Sequence, residues 1–591
     1  MKISLIFLIV ILVSSCAKEP KLDFLSEPED PDETDMSVWE KTAPGVHSAF
    51  GSLDIPYSKS QLPTDQVYES LKLSGWKGER VAFLLLVWTA GNDEEVSIEV
   101  QGLVNGDARI EKTQFTVSVL GYVLTDQFLN ENGSACGPRD SDKIPVHLAP
   151  DKLIAGSRFL LRGPSTRPVW IAIDIPADAS PGTYQGAITR KSRSEAVSHP
   201  FTLEVQDMVL PPPGQWAFHL DLWQNPFAVA RYHGVPLWSE EHLALLRAIL
   251  TKLAMAGQKA ITTTILDRPW DGQTGFDPYG SMVEWVRKSN GSWSFGFANF
   301  DTYVELAMDC GISGQISCFS MIPINNKLSW YDESTAERVV FEALPGTAEY
   351  EEIWGAFLQA FRAHLKGKGW LEMTYLALDE RAEEDMMKLF EFLETNAPDL
   401  KVTMAGFYHE SVNSYIDDFS SNWRDEGRIP EDAIAARRQA GLKTTYYVAC
   451  GIPQPNNFTF SPPSESAYQG WIAAAMGFDG FLRWANNSWP ENPMVDSRFV
   501  RWPAGDTYLM YPGAISSVRF ERLREGIQDY EKIRILQASI SEDSSEGANA
   551  ALADFQTFLD EIGSRSLYKK PAADWLAEGK RRLYELERRL L

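Results

Sequence analysis

The chain has 591 residues, a formal net charge of −26, and 44% hydrophobic and 12% aromatic residues. That length exceeds what one core supports, so two or three domains are expected. The negative balance and the lack of basic clusters exclude nucleic acid and favour a neutral partner. The 19 tryptophans serve mainly as core anchors, with a few suited to stacking on the C–H faces of sugar rings.

The first residues have the form of a secretion signal. Lys2 is the positive end, Ile3 to Val13 is a short apolar run, and Val13-Ser-Ser-Cys16 brings small residues up to a cysteine. The run is far shorter than the ~20 residues of a membrane-spanning helix. Because its Cys placement resembles a bacterial lipobox, residues 1–15 are expected to be a lipoprotein signal peptide and Cys16 the lipidation site. Residues 16–36, rich in Glu, Asp and Pro, are expected to form an acidic disordered tether. That lipid would be the only membrane attachment, on the periplasmic or outer face of a bacterium. Among Cys136, Cys310, Cys318 and Cys450 one disulfide is allowed but no spacing demands it, so buried free thiols are expected.

Residues 37–213 carry the pattern of a β-sandwich. Short runs such as 81–88, 96–100, 115–119, 168–175, 187–190 and 199–205 are separated by Gly, Asn and Asp turns and end at Pro211-Pro-Pro-Gly214. No cluster of exposed aromatics picks out a binding face, so this domain is read as a support. From 214 to 520 strands alternate with helices. Strands are expected at 218–223, 260–266, 315–322, 372–378, 401–406, 415–420, 444–450 and 480–485, with the sixth least defined. Eight strands over about 300 residues fit a (β/α)8 TIM-type barrel. Residues 521–591 are helical to the end.

Asp379-Glu380 closes an apolar strand run, Glu372 to Leu378, and a helix follows. Two carboxylates released at the carboxyl end of a core strand are costly to bury and occupy the place where such barrels keep catalytic groups. Other Asp-Glu pairs, such as Asp332-Glu333 and Asp560-Glu561, lie in polar or helical surroundings and are solvated charges. The eight histidines lack ligand spacing, and there is no His-Glu-x-x-His, Gly-x-Ser-x-Gly or phosphate loop, so no metal and no cofactor is expected.

Several segments together resemble glycoside hydrolase family 123, bacterial enzymes that remove β-linked N-acetylgalactosamine. They are Trp76-Lys-Gly-Glu-Arg80, Ser180-Pro-Gly-Thr-Tyr184, Phe218 to Pro226, Leu378-Asp-Glu380, Gly480 to Trp489, Ala504-Gly-Asp506 with Tyr511-Pro-Gly513, and Arg519 to Gly526. The resemblance implies a substrate-assisted, retaining exo-hydrolase acting on a neutral glycan with a terminal N-acetylhexosamine. The sugar's own acetamido oxygen attacks the anomeric carbon, Asp379 orients and stabilises that group, and Glu380 is the general acid/base. Tyr447, or its neighbour Tyr446, would bond the acetamido oxygen. Trp484, Trp489 and Asn486 after the eighth strand, and Asp221, Trp223 and Asn225 at the first, are candidates for stacking on or bonding the sugar. Asp506 would hold a hydroxyl or cap a turn, whereas Arg519, Arg522 and Arg524 look like helix-surface and ion-pair residues. The alternatives are a β-N-acetylglucosaminidase of the same mechanism and a glycan-binding lipoprotein without catalysis.

Overall fold

The computed structural model describes residues 25–590 apart from 26, 66, 425–426, 543–545 and 564–565. The expected signal peptide and Cys16 lie outside these residues. Within the expected disordered tether, Glu27 is anchored to the fold while Glu29, Pro31, Glu33, Asp35 and Met36 are exposed. Glu27 accepts bonds from the Arg167 guanidinium and pairs with Lys59, and these cations hold its carboxyl down at about 2 against the penalty of burial.

The N-terminal part consists of two seven-stranded sheets. In one, Arg80–Thr89 lies between Val46–Gly51 and Ser165–Asp174; in the other, Gly182–Lys191 lies beside Ala196–Val209. Alternation along Arg80–Thr89 splits its side chains between two apolar clusters. Phe83, Leu85 and Val87 join Ile98, Ile188 and Leu203 from the other sheet, while Leu84 and Leu86 pack with Trp170 and Val518. Both faces are covered, which is why this strand is almost continuously apolar.

The second part is a nearly closed barrel of eight parallel strands: β1 (His219–Leu222), β2 (Ala260–Thr264), β3 (Gln315–Phe319), β4 (Thr374–Leu378), β5 (Lys401–Gly406), β6 (Asp418–Asn422), β7 (Lys443–Tyr447) and β8 (Gly480–Arg483). Hydrogen bonding runs β1-β8-β7-β6-β5-β4-β3-β2. The β1/β2 seam is bridged by Lys259 N–H donating to the Leu220 carbonyl at 2.9 Å and by the Gln258 amide, which bonds the backbone of both Leu222 and Ala260. The sixth strand begins at Asp418, not at 415, because Glu410–Tyr415 forms 3₁₀ turns first. Between β2 and the helix Ala348–Lys368 the chain also builds a four-stranded sheet from Glu284–Arg287, Trp293–Gly296, Lys327–Asp332 and Glu337–Glu342, anchored by Trp285 stacked on Phe357 at 4.7 Å.

Three helices follow, α1 (Val518–Glu542), α2 (Glu546–Asp560) and α3 (Ala572–Leu590). α1 packs on the helix Pro463–Met476 by backbone contact. A Cβ on Gly470 would stand 1.9 Å from the Gly526 carbonyl oxygen, so both positions need glycine. Arg519 and Arg522, expected on a helix surface, are buried instead. Arg519 pairs with Asp151 of the N-terminal sheet at 2.9 Å and Arg522 with Asp54 at 2.6 Å. Arg524 is half-buried against Glu521 and Arg80. The free-thiol expectation is overturned for two cysteines, since Cys136 and Cys450 form a disulfide across 314 residues. No helix among the described residues is long and apolar enough to cross a membrane.

Candidate active site

The carboxyl end of β4 delivers Asp379 and Glu380 to the barrel mouth. Leu378 is buried and the chain turns directly after it, so adjacent side chains reach one site instead of opposite sheet faces. Asp379 Oδ2 accepts the Trp270 indole N–H at 2.9 Å, and Asp379 Oδ1 accepts the Glu380 backbone N–H at 2.9 Å. Both oxygens are thereby fixed. Glu380 Oε1 accepts the Tyr447 hydroxyl, and the Asn422 amide reaches the same oxygen at 3.5 Å while donating to the Tyr447 oxygen at 3.0 Å. Desolvation, and then the adjacent Asp379 charge, push the Glu380 carboxyl above its usual range. The bonds from Tyr447 and Asn422 and the charge of Arg424 oppose that shift without cancelling it.

Beside the carboxylates Trp223, Trp270, Tyr279 and Phe319 form an aromatic group. The Trp223–Phe319, Trp270–Phe319 and Trp223–Trp270 ring centroids are 4.5, 4.8 and 5.2 Å apart. Trp484, half-buried, meets Trp502 edge-on at 6.0 Å on the rim. Trp223, Trp270, Tyr279 and Phe319 are buried and back the two carboxyl groups, one an acid inclined to keep its proton and one an anchored acceptor. Such a set suits proton donation to a leaving oxygen and orientation of a polar group on a ring.

The structure gathers Asp379, Glu380, Tyr447, Trp223 and Trp484 here, and redistributes the other candidates. Tyr446 points outward from β7, its hydroxyl donating to the Gln469 carbonyl at 2.8 Å. Trp489 is buried in the core with its indole N–H on the Met510 carbonyl. Asn225 is an N-cap whose Oδ1 accepts from Phe227 and Ala228 while its Nδ2 donates to Asp277 and Ser488, which leaves nothing for a sugar. Asp506 is neither hydroxyl ligand nor turn cap. It forms a fully buried pair with Arg483 at 2.8 Å. Asp221 lies one layer below Trp223, accepting its indole N–H at 3.3 Å. Burial and then the Asp418 charge push it up to about 7. The Asn486 side chain is buried with neither amide atom bonded among the described residues.

Sequence reading missed Trp270 and Asn422. Trp270 sits in the loop after β2, and placing the sixth strand two residues early hid Asn422 at its true carboxyl end. Among the described residues no group of three or more His, Cys, Asp or Glu forms a metal-binding cluster.

The family model for the glycoside hydrolase 123 catalytic domain matches residues 223–536, and that for the family's N-terminal domain matches 50–192. Among solved structures, a family 123 glycoside hydrolase from Clostridium perfringens, studied for glycolipid glycan hydrolysis, superposes with a TM-score of 0.82. It has 25% identity over 93% of this chain and 100% of its own. A GH10 xylanase with a bacterial Ig-like domain from termite gut reaches a TM-score of only 0.31 at 10% identity, over 78% of this chain and 100% of its own. No curated protein sequence matches. With the catalytic-domain model spanning more than half of the 591 residues, and the Clostridium enzyme overlaying both parts of the fold, the chain belongs to glycoside hydrolase family 123.

Proposed function

We propose that this glycosidase removes terminal β-linked N-acetylgalactosamine with retention, using the substrate's 2-acetamido group as nucleophile. The observation that carries the reading is the asymmetry of the Asp379–Glu380 pair: one carboxylate anchored by an indole, the other raised toward its acid form. An ordinary retaining enzyme sets a nucleophile and an acid ~5–5.5 Å apart across the scissile bond. Here the two carboxyl groups leave a single strand end together, which suits an orienter and an acid better.

In this reading Glu380 protonates the glycosidic oxygen while the acetamido oxygen closes on the anomeric carbon. No second molecule is recruited, which raises effective concentration. Positive charge develops on the amide, and Asp379 supplies a fixed counter-charge. Glu380 then withdraws a proton from the water that opens the ring. Trp484, half-buried, offers a face for the sugar, and Trp223 is buried in the aromatic group behind it. The two N-terminal sheets are read as a β-sandwich supporting a TIM-type barrel. Because the Clostridium relative concerns glycolipid glycans, a glycolipid headgroup is the proposed natural substrate, met from a Cys16 lipid anchor.

The test is a pair of variants on substrates with good and poor leaving groups. Asp379→Asn is expected to lower turnover by ~10²–10⁴ on both, and Glu380→Gln by as much on an oligosaccharide but less on an aryl glycoside, whose leaving group needs no proton. Wild-type rates in either variant remove that residue from the reaction.

A further inference from the structure

Arg424 stands two residues beyond β6 and is exposed. Its backbone N–H donates to Asn422 Oδ1 at 2.9 Å, and the same amide turns its Nδ2 toward Tyr447 and Glu380. Its guanidinium lies against Gly451 so closely that a Cβ there would come within 1.6 Å of Nη2. The preceding residue, Cys450, is tied by the disulfide to Cys136 in the loop after the strand Phe115–Thr125. That loop is clamped to the barrel in turn. Gly137 and Arg139 N–H groups donate to the Arg501 and Val500 carbonyls at 3.0 Å, and the Asp126–Arg139 pair is buried at 2.9 Å. The N-terminal domain thus braces the turn on which Arg424 rests. Despite this bracing the Arg424 side chain is exposed, and it forms no ion pair with another described residue.

A cation held in place beside an acid, in a chain of net charge −26, works against the proton that Glu380 needs. An incoming anion would relieve that opposition. We propose that Arg424 is a specificity residue on the leaving-group side, binding an oxyanion (carboxylate or sulfate) carried by the sugar beyond the scissile bond. The proposal rests on Glu380 being the acid, since the group that protonates the glycosidic oxygen faces the leaving sugar and Arg424 borders it. A guanidinium takes either oxyanion through two parallel N–H bonds. Elsewhere the negative field of the chain disfavours anionic ligands. Arg381, the cation next to Glu380 in the chain, is engaged with the Ile322 and Glu380 carbonyls, whereas the Arg424 side chain is exposed.

The test compares N-acetyl-β-galactosaminyl disaccharides ending in glucuronate, 6-O-sulfoglucose or glucose, using the full chain and its Arg424→Gln and Gly451→Ala variants. The expected kcat/KM for one or both anionic disaccharides is about tenfold above the neutral one. That ratio falls to about one in Arg424→Gln and partway in Gly451→Ala, which displaces the guanidinium without removing charge. About 0.5 M salt lowers the wild-type ratio. The glucuronate and sulfate arms show which oxyanion is taken. Equal kcat/KM for all three, or a preference that survives Arg424→Gln, overturns the proposal. Should none be cleaved, the N-acetylgalactosaminidase reading fails, and calorimetric titration with the same disaccharides still decides this one. Tighter anionic binding that Arg424→Gln abolishes upholds it; equal binding, or none, overturns it.

Discussion

The proton balance of Glu380 is set by a few neighbours whose effects have opposite signs. Desolvation and Asp379 raise its pKa, while the Tyr447 hydroxyl stabilises the charged form and lowers it. In its proposed role as general acid Glu380 works only while protonated, so activity is expected to fall as pH rises through that pKa. Tyr447→Phe removes a lowering contact. The alkaline limb of the kcat/KM profile should therefore move to higher pH, with turnover about tenfold lower through lost positioning. An unmoved limb would show that the hydroxyl does not tune the acid. A second carboxyl affects stability instead of rate. Glu465 accepts the Asn456 N–H at 2.7 Å, and burial pushes it up to about 8 from an ordinary 4.5. Between those values the folded chain holds a proton that the unfolded chain releases, so this stabilisation is full below about 4.5 and is lost as pH rises through about 8. Glu465→Gln keeps an acceptor and cannot ionise. Denaturant unfolding should show it more stable than the parent at pH 8, by about 1 kcal/mol or more, with little difference at pH 4.5. A parallel pH slope in both proteins would contradict this.

Among the elements, those whose signal is local were legible in the sequence. Apolar runs are buried on both faces and appear as strands: Lys401–Gly406 has the expected bounds, and the run expected at 372–378 begins at Thr374 because Leu371–Met373 forms a 3₁₀ turn first. The four-stranded insertion was not, because Glu284–Arg287 and Trp293–Gly296 are short and half-exposed, and Trp285 and Phe295 pack on Phe357 of a helix distant in sequence. The candidate site was legible where chemistry coincides with a strand end, as at Asp379, Glu380 and Tyr447. It was illegible where a Trp or Asn serves equally as core or cap, as Trp489 and Asn225 do. The Cys136–Cys450 bridge was hidden for a related reason: cysteines 314 residues apart carry no spacing signal. It closes a very long loop, so Cys136→Ser with Cys450→Ser should lower unfolding stability, by up to about 5 kcal/mol in the chain-entropy view. Thermal unfolding of the double variant that matches the parent would mean the domain contacts alone hold that loop.

Across the whole molecule, the N-terminal sheets, the barrel and the last helices are joined by buried charges and not by apolar contact alone. Lys532 of α1 pairs with Glu79 at 2.9 Å, Arg519 with Asp151, and the Trp76 indole donates to Glu587 of α3 at 2.7 Å. Separating such pairs leaves uncompensated charge in a dry interior, which costs more than the pairs contribute when intact. Ser516–Ser517 even adds a last strand to the N-terminal sheet directly before α1 begins. The barrel is therefore tied to the N-terminal sheets at several buried points, a frame that suits the proposed preorganised acid and orienter. The most direct measurement is hydrolysis of 4-nitrophenyl N-acetyl-β-D-galactosaminide beside its gluco epimer and the galactoside that lacks the acetamido group. Cleavage of the galacto acetamido sugar, with neither of the other two cleaved at a comparable rate, is the predicted result. Efficient cleavage of the sugar without an acetamido group would contradict neighbouring-group catalysis, and faster cleavage of the gluco epimer would contradict the galacto assignment.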